Sequence, residues 1–378
     1  MELDETISGR RKRTRSSIYH YLYHYHDFCS KQTVASNMDL SLPTVYQNLD
    51  ELMQAGLVGY TGKFRTTGGR RAMGLDIIAD ARISIGISIT AESMYLTAVD
   101  LRMKELAFQK VRQPLRKNVT AFCNLIAKKL EEFIEKNQLQ PEKILGVGLA
   151  LPAILSEDGQ TVVWTDLPYL KNASLHSLFD SIAYPVHICN SALCGAQAEL
   201  YAESDGGQNP VKMAACLFLE EQLAGCMILD SQVYGGNHGA GFQAGRICVE
   251  NSDDQNAAAG ELDRFCSLRR ITDTGLSVEK FFRAVEEKGA ECCAILDDLL
   301  VHLARGIHSL SLCLDCRILL CGTLSRYLAP YISRLQSLLD AQSVYGPGGD
   351  VFSLSRISGH CVPLGASLYF IQSFLLSV

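Results

Sequence analysis

Residues 144–155 read Ile-Leu-Gly-Val-Gly-Leu-Ala-Leu-Pro-Ala-Ile-Leu, a run without a charged side chain. The run is too short to cross a bilayer, which takes about 18 apolar residues, and it contains Pro152. Its first seven residues, Ile144–Ala150, therefore predict a strand that is buried inside the protein.

The segments around this strand alternate between β-branched runs and helical patterns. Before it, the predicted elements are strands Ile83–Ile89 and Tyr95–Leu101 and an amphipathic helix Val119–Asn137. A second unit of the same kind comes later in the chain. Its predicted elements are strands Met213–Phe218, Cys226–Leu229 and Arg317–Cys321 and helices around Val278–Lys288 and Leu296–Cys313. This alternation predicts an α/β body, and its two similar halves suggest a ligand cleft between them.

The composition is that of an ordinary globular protein. The chain has 378 residues, enough for two or three domains, and 47% of them are hydrophobic against 20% charged. Residues 1–17 are charged and polar where an export signal needs an apolar core, so we expect a cytoplasmic protein without membrane contact. Fourteen cysteines without regular spacing predict reduced thiols rather than a disulfide framework.

The net charge of −6 is unevenly distributed. Residues 1–75 contain ten Lys and Arg against seven Asp and Glu, which gives +3 and leaves −9 for the remainder. A basic front end on an acidic body is expected when only the front end contacts a phosphate backbone.

Three helices are predicted near the start of the chain. Apolar residues at helical spacing within 17–27 predict the first, and Ser30 is a plausible N-cap for a short second helix. After a tight connection at 37–40, Ser41 caps a third helix that carries Pro43 in its first turn, where the missing N–H costs little.

The third helix has an apolar face and a polar face. Val45, Leu49 and Leu52 recur at helical spacing, so they are predicted to pack inward. The residues predicted to face outward are Thr44, Gln47, Asn48 and Glu51. A short helix, a four-residue turn and a capped helix with a polar outer face are typical of a helix-turn-helix motif that enters the major groove of double-stranded DNA.

Gln47 and Asn48 are the candidate base readers, because amide side chains pair with adenine edges. The other residues of this helix predicted to contact DNA are Ser41, Pro43, Thr44 and Tyr46. A generic three-helix domain without a nucleic-acid role is the alternative interpretation.

A small hairpin is predicted after the third helix. Leu57–Tyr60 and Phe64–Arg65 read as its strands and Thr61–Lys63 as its turn, so it resembles a wing with a basic tip. The basic residues predicted to contact DNA here and beyond are Lys63, Arg65, Arg70 and Arg71. The earlier cluster Arg10–Arg15 reads equally well as a phosphate-contacting arm or as a solvated tail.

Taken in order, the motifs of the chain resemble the ROK family (repressors, open reading frames and kinases), in particular its transcriptional regulators. The segments that carry the resemblance are Leu40-Ser41, Thr44-Val45, Thr67–Arg71, Gly146–Pro152, Asn190–Ala192, Tyr234–Arg246, Gly260–Ser267, Cys321–Thr323 and Leu364–Ala366. The resemblance implies an N-terminal winged helix-turn-helix (1–66), a linker (67–82) and a two-lobed, actin-like body of the sugar-kinase fold (83–378). It also implies a homodimer or a higher oligomer.

The kinase site of such a body is altered in this chain. The resemblance implies that the family has an Asp that holds metal and phosphates where this chain has Ser88, and a catalytic Asp where it has Ser191. It also implies a Gly-rich phosphate loop where this chain has Glu220–Leu223. Two carboxylates in the phosphate loop oppose the charge of ATP, and a serine cannot serve as the base for a sugar hydroxyl. The sequence therefore predicts no kinase activity and no cofactor.

The family's structural zinc ligands are also missing from the matching positions. Family members place a His where Arg246 stands and three Cys in the loop that corresponds to residues 254–261, which here offers no thiolate or imidazole. No metal is therefore predicted. The remaining Cys pairs, Cys292-Cys293 and Cys313/Cys316, are read as structural, with a metal or redox role as the weaker alternative.

Polar character persists in the pocket that would hold a sugar. The candidate ligand-binding residues are Asn190, Ser191, Gln243, Arg246 and Asp263. Arg246 suits a phosphorylated or acidic sugar, because Arg pairs bidentately with anions, or else it ties a loop together where zinc once did.

The sequence thus predicts a DNA-binding transcriptional regulator, a repressor of carbohydrate-related genes with an inactive kinase-like sensor for a sugar or sugar phosphate. An active sugar kinase with an added N-terminal domain is the first alternative. A ligand-independent scaffold protein is the second.

Overall fold

The computed structural model describes residues 2–25, 29–67, 70–112, 118–165, 167–204, 209, 211–250, 260–342, 350–357 and 360–378. Its helices are α1 (Glu2–His24), α2 (Lys31–Asn37), α3 (Leu42–Gln54), α4 (Val119–Lys136), α5 (His176–Ser181), α6 (Ser191–Glu203), α7 (Leu262–Cys266), α8 (Leu268–Thr272), α9 (Val278–Glu286), α10 (Ala290–Leu314), α11 (Ile332–Asp340) and α12 (Cys361–Ser377). Its strands are β1 (Val58–Thr67), β2 (Arg70–Ile77), β3 (Ile83–Ile89), β4 (Ser93–Asp100), β5 (Glu105–Arg112), β6 (Ile144–Leu151), β7 (Ala153–Leu155), β8 (Val162–Thr165), β9 (Val186–Asn190), β10 (Met213–Phe218), β11 (Ala224–Leu229), β12 (Gln232–Tyr234), β13 (Arg317–Cys321) and β14 (Phe352–Leu354).

The three predicted N-terminal helices are present as α1, α2 and α3, although α1 begins at Glu2 and not near residue 17 as predicted. With β1 and β2 they form what we call the head. The Ser30 hydroxyl accepts a hydrogen bond from Thr33 N at 3.1 Å and caps α2. The Ser41 hydroxyl likewise accepts from Thr44 N at 3.3 Å and caps α3. These serines satisfy backbone N–H groups that the first helical turn leaves without a partner, so each helix begins where the sequence predicts.

The predicted position of the hairpin turn is wrong. β1 continues through Thr61–Lys63 and pairs antiparallel with β2 as far as Thr67↔Arg70. Its register shifts between Thr61 and Phe64, so the Thr-Gly-Lys triplet makes an irregularity within a strand rather than a turn. The residues between the strands, 68–69, lie outside the described part of the chain. The segment 67–82, predicted to be a linker, contains the second strand of the hairpin.

The rest of the chain, which we call the body, contains two five-stranded sheets, as the predicted alternation requires. The first lobe has strand order β5-β4-β3-β6-β9, and the second has β12-β11-β10-β13-β14. In both, three antiparallel strands are followed by two parallel ones. The body is therefore built from the same arrangement twice, each copy with its own apolar core.

Helix α12 packs backbone to backbone against both lobes. A Cβ at Gly148 of β6 would overlap the carbonyl oxygen of Ala366, and a Cβ at Gly365 would overlap the carbonyl oxygen of Cys194 on α6. Glycine is required at these positions because only an absent side chain allows this close approach. As a result α12 holds the first sheet on one side and α6 on the other.

The head shares an apolar core with the body. Buried Tyr19 and Leu22 of α1 belong to the same cluster as Leu101 and as Ile371 of α12. The Tyr23 hydroxyl donates to the carbonyl oxygen of Leu101 at 2.9 Å, and this bond is buried. The head therefore packs directly on the last turns of α12. No helix within the described ranges is long and apolar enough to span a membrane.

Replacement of Gly365 by Ala should destabilise the protein. The added methyl group has no space beside Cys194, and overpacking of this kind costs about 1–3 kcal/mol, which outweighs the helix propensity gained. Urea denaturation should show a lower free energy of unfolding for Gly365→Ala than for Ser373→Ala on the exposed side of the same helix. Equal stability of the two variants would contradict the packing described here.

Candidate functional site

A cleft of about 200 Å³ lies between the two lobes. The first lobe contributes the turn after β3, the start of β7 and Trp164 of β8, and the second contributes the loop between β10 and β11 together with Thr323 and Arg269. Two helix N-termini complete it, those of α6 at Asn190 and of α12 at Cys361. The cleft predicted from the two similar halves is therefore present.

Asn190 and Ser191 line the cleft at the start of α6. The Asn190 amide is engaged at both ends, since its nitrogen donates to Ala153 O at 2.8 Å and its oxygen accepts from Ala192 N at 2.8 Å. The Ser191 hydroxyl is buried without a hydrogen-bond partner among the described residues. Asn190 thus fixes the edge of the site, while Ser191 offers a hydroxyl that a ligand could satisfy.

Glu220 is folded back onto the turn that follows β13. Its carboxylate accepts hydrogen bonds from Thr323 N at 2.8 Å and from Thr323 Oγ1 at 2.9 Å. Burial raises the pKa of Glu220 to about 7, although the bonds from Thr323 oppose this rise. The carboxyl group thus carries a full negative charge only above neutral pH.

Glu221 connects the two lobes across the cleft. Its carboxylate accepts a hydrogen bond from Thr90 Oγ1 at 3.3 Å, and Thr90 lies at the end of β3 in the first lobe. Burial raises the pKa of Glu221, and the negative charge of nearby Glu92 raises it further. The two carboxylates of this loop lie in the cleft wall, where they meet both lobes.

The structure brings together three of the five predicted ligand-binding residues. Gln243 lines the cleft with Asn190 and Ser191, and its side chain is exposed. Arg246 and Asp263 do not line it: Arg246 pairs with Glu261 at 2.9 Å, and Asp263 accepts from Leu223 N at 2.5 Å. For Arg246 the geometry therefore favours the loop-tying interpretation over anion binding.

Several residues of the cleft were missed by the sequence analysis. They are Thr90, Tyr95, Trp164, Arg269, Thr323 and His360. Trp164 is the only tryptophan of the chain and is 41% exposed, which is an unusual position for so large an apolar ring. That exposure is invisible in the sequence, where Trp164 sits in an apolar strand pattern.

On α3 the structure separates the two candidate base readers. Gln47 is exposed, whereas Asn48 is only 2% exposed and donates its amide to Thr44 O at 2.8 Å. The prediction that Asn48 faces outward is therefore wrong. Residue 48 lies at the boundary between the apolar and polar faces of α3. Packing of α3 against the rest of the head therefore buries the Asn48 side chain.

The remaining predicted DNA-contacting residues are spread along α3 and the hairpin. Ser41, Pro43 and Tyr46 are exposed, and Thr44 is half-buried. The Lys31 ammonium lies 4.0 Å from the centre of the Tyr46 ring, a cation–π contact between α2 and α3. The four basic residues of the hairpin lie at strand positions: Lys63 and Arg65 on β1, Arg70 and Arg71 on β2.

The basic cluster near the start of the chain belongs to α1, so it is not an extended tail. Arg11 and Arg15 both pair with Glu51 on α3, the second at 3.1 Å. These residues consequently hold α1 against the third helix.

Comparison with known proteins identifies the body. The ROK family model matches residues 84–352, which is most of the chain. The chain belongs to the ROK family. It is 26% identical over 251 residues to the xylose repressor of Caldicellulosiruptor bescii, across 64% of this chain and 61% of that repressor. It is also 26% identical over 165 residues to the dual regulator NagC of Escherichia coli, across 42% and 39% of the two chains.

Solved structures show the same ROK fold. A ROK family transcriptional regulator described as a homolog of the E. coli MLC protein superposes with a TM-score of 0.71 at 17% identity, over 97% of both chains. A ROK glucokinase from Streptomyces griseus, in complex with glucose and AMPPNP, superposes with a TM-score of 0.63 at 17% identity, over 76% of this chain and 98% of that one. The mixed α/β body is therefore that of ROK sugar kinases and regulators alike.

The region of the ROK zinc site lies partly outside the described chain. Residues 251–259, which include most of the predicted counterpart of the cysteine loop, are not described. Among the described residues, no three His, Cys, Asp or Glu side chains are grouped so as to hold a metal ion.

The raised pKa of Glu220 predicts a specific pH dependence of stability. The native state binds this proton more tightly than the unfolded chain, so the free energy of unfolding should fall as the pH rises from about 4.5 to 7. Glu220→Gln keeps an acceptor for Thr323 but cannot ionise. Between pH 5 and pH 8, the free energy of unfolding measured by urea denaturation should therefore decrease less for Glu220→Gln than for wild type. Exposed Glu131→Gln is the control, and equal losses in all three proteins would refute the assignment.

Proposed function

We propose that the chain is a DNA-binding transcriptional regulator, a repressor of carbohydrate-related genes, with a winged helix-turn-helix head and a ligand-sensing body that does not phosphorylate. The observation that carries the proposal is the capped helix α3, which presents an exposed polar face on a head packed against a sugar-kinase-like body. The names of the relatives support it, since they include a xylose repressor and an N-acetylglucosamine repressor. Because those alignments cover less than two thirds of the relatives, the function of the whole chain remains our proposal.

The proposed DNA-binding unit consists of α1–α3 and the β1–β2 hairpin, and so extends to Ile77 rather than to residue 66. The second and third helices are joined by the short segment 38–41, and α3 offers Gln47 to the major groove. The hairpin contains four basic residues, and in this proposal they contact the flanking phosphates. Phosphate contacts of this kind orient the head, while Gln47 reads a base edge.

Replacement of Gln47 by Ala should reduce the preference for the operator over random DNA. Loss of one bidentate contact to adenine costs about 1–3 kcal/mol of discrimination, so the ratio of the two affinities should fall by about 5- to 150-fold. Fluorescence anisotropy with both DNAs at one salt concentration measures this ratio. Asn48→Ala is the matched control, because its buried amide makes no base contact and the ratio should stay unchanged. A fall for Asn48→Ala without one for Gln47→Ala would reverse our assignment.

Three features of the cleft support the proposal that the body lacks kinase activity. Ser88 and Ser191 stand where the family resemblance places carboxylates, and Glu220 and Glu221 stand where it places a phosphate loop. A carboxylate about 5 Å from a phosphate charge costs roughly 3 kcal/mol at an effective dielectric of 20. The alternative of an active kinase is kept because the fold superposes on that of a glucokinase.

Isothermal calorimetry should therefore detect no magnesium-dependent ATP binding by the full chain. A coupled assay with hexoses and N-acetylhexosamines should likewise detect no ATP-dependent phosphorylation. A glucokinase of the same fold serves as the positive control. Turnover by this chain in the usual enzymatic range, at or above about 1 per second, would establish the kinase alternative instead.

The proposed effector is a single sugar or sugar phosphate. The cleft volume of about 200 Å³ lies below the roughly 300–1,000 Å³ of sites for drug-sized ligands, so it fits a monosaccharide better than a sugar together with a nucleotide. Trp164 offers an apolar ring, and Ser191 and Gln243 offer hydrogen-bonding groups.

We further propose that the effector acts on DNA binding through α12. The first turn of this helix lines the cleft, whereas its last turns pack against α1 of the head. A ligand that favours one angle between the lobes would then shift the heads of a homodimer relative to each other. Because two recognition helices bind half-sites about one DNA turn apart, such a shift changes operator affinity.

Gln243→Ala should weaken effector binding by about 2- to 13-fold, since one hydrogen bond to a neutral sugar is worth roughly 0.5–1.5 kcal/mol. Thermal shift against a panel of sugars and sugar phosphates should first identify a stabilising compound, and its titration then compares the variants. Arg246→Ala is the control and should bind as wild type does, because Arg246 pairs with Glu261 outside the cleft. If no compound stabilises wild type, the body is a ligand-independent scaffold.

A further inference from the structure

A pair of thiols lies at the junction of β9 and α6, next to the cleft. Cys189 is the penultimate residue of β9 and is half-buried, while Cys194 lies in the first turn of α6 and is fully buried. Cys189 packs against the small buried cluster that contains Cys194, and the neighbouring Cys194 thiol is the largest cause of the lowered pKa of Cys189. The two side chains are therefore already neighbours in the folded chain.

Two further groups also lower the pKa of Cys189. One is the imidazole of His187, which is stacked on Tyr369 with ring centres 3.6 Å apart, and the other is the backbone N–H of Asn190. The positive end of α6, a helix of 13 residues, lies beside them. Together these donors stabilise a thiolate, so the pKa of Cys189 lies well below that of an ordinary thiol.

Cys189 also opens onto a second cavity. This cavity, of about 730 Å³, lies beside the cleft and is lined by His187, Cys189 and His238, among others. It shares Asn190 with the cleft, so the thiolate is within reach of small solutes that enter from this side.

Other cysteines of the body have the opposite environment. Burial raises the pKa of Cys226 to about 12 and also raises the pKa values of Cys266 and Cys361. The side chains of these three cysteines are at most 2% exposed. The environment of Cys189 therefore differs from that of these three cysteines.

We propose that Cys189 and Cys194 form a peroxide-reactive dithiol site that closes to a disulfide beside the ligand cleft. The Cys189 thiolate attacks one oxygen of hydrogen peroxide, the O–O bond breaks, and the departing hydroxide takes up a proton to leave as water. Cys189 is then a sulfenic acid. The sulfur of Cys194 attacks this sulfenic sulfur, the S–O bond breaks, and the hydroxide leaves as water with the thiol proton. Two thiols are oxidised and one peroxide is reduced to two waters.

The disulfide would act on the residues between the two cysteines. Asn190 and Ser191, which line the cleft, lie within the five-residue step from Cys189 to Cys194. The backbone of Cys194 cannot shift to bring the two sulfur atoms together, because it is in close contact with Gly365 of α12. The closing movement must therefore come from the end of β9 and carry Asn190 with it.

Peptide mapping of the full chain tests the proposal directly. No Lys or Arg lies between Lys171 and Lys212, so trypsin releases both cysteines in one peptide, 172–212, which contains no other cysteine. The protein is reduced, desalted, treated with a few equivalents of hydrogen peroxide, blocked with N-ethylmaleimide and digested. Mass spectrometry should find this peptide about 2 Da lighter and without maleimide, before the exposed Cys248 and Cys313 react.

Variants separate the two steps. Cys194→Ser should stop at the sulfenic acid, which dimedone traps on peptide 172–212, whereas Cys189→Ser should leave Cys194 reduced. Cys266→Ser removes a buried thiol that does not interact with Cys189, so it is the matched control and should oxidise as wild type does. A peptide 172–212 that stays doubly alkylated in wild type, or that oxidises equally fast in Cys189→Ser, would overturn the proposal. Because this readout requires neither DNA nor effector, its failure is distinguishable from failure of the proposed function.

The pH dependence of alkylation provides a second readout. Iodoacetamide should modify Cys189 at pH 6 at no less than about one third of its rate at pH 8, because the thiolate is present at both. The rate for a cysteine in an unstructured peptide should fall by about two orders of magnitude over the same range. The titratable groups that act on the Cys189 sulfur are His187, Cys194 and Cys226, and the cavity onto which it opens is also lined by Glu157, Asp158 and His238. A rate for Cys189 that falls as steeply as that of the peptide would refute the stabilised thiolate.

Discussion

The architecture depends on the backbone contact between helix α12 and its neighbours. Gly148 and Gly365 allow this helix to lie directly on β6 and on α6, with no side chain between the main chains. The helix belongs by packing to both lobes and, through its last turns, to the head. Because close-packed interiors deform little, a displacement of α12 moves neighbouring elements with it. This one helix therefore contacts the cleft, the helix that carries Cys194, and the head.

The cleft combines the geometry of a sugar kinase with different electrostatics. Glu220 is bound to Thr323, and Glu221 reaches across to Thr90, so carboxylates occupy the wall where phosphates would be expected. These groups are buried enough that their pKa values are raised, and a negatively charged ligand nearby would raise them further. Within the proposed range of effectors, such a wall favours a neutral sugar over a sugar phosphate. Under the proposed function, the body keeps the lobes and cleft of the ROK fold and acts through ligand binding alone.

Much of the fold was predictable, because its signals are local. The serine caps at Ser30 and Ser41 and the strand Ile144–Leu151 lie where their residue patterns indicate. The candidate site was predicted less well. Asn190, Ser191 and Gln243 reach the cleft, but Arg246 and Asp263 are engaged elsewhere, and Trp164 and Arg269 were missed. Both missed residues lie far along the chain from the predicted ones that reach the cleft, and only folding brings their segments there.

The residue pattern alone was enough to predict the two α/β halves, the capped helices α2 and α3, and the altered residues at positions 88, 191 and 220–221. Periodicity and capping depend on neighbours within a few residues, so they can be read without coordinates. Three outcomes required the folded chain: Asn48 faces the interior, β1 continues past Thr61, and Cys189 lies beside Cys194 and His187. These outcomes depend on which distant segments share space, and that is settled by packing across the whole chain.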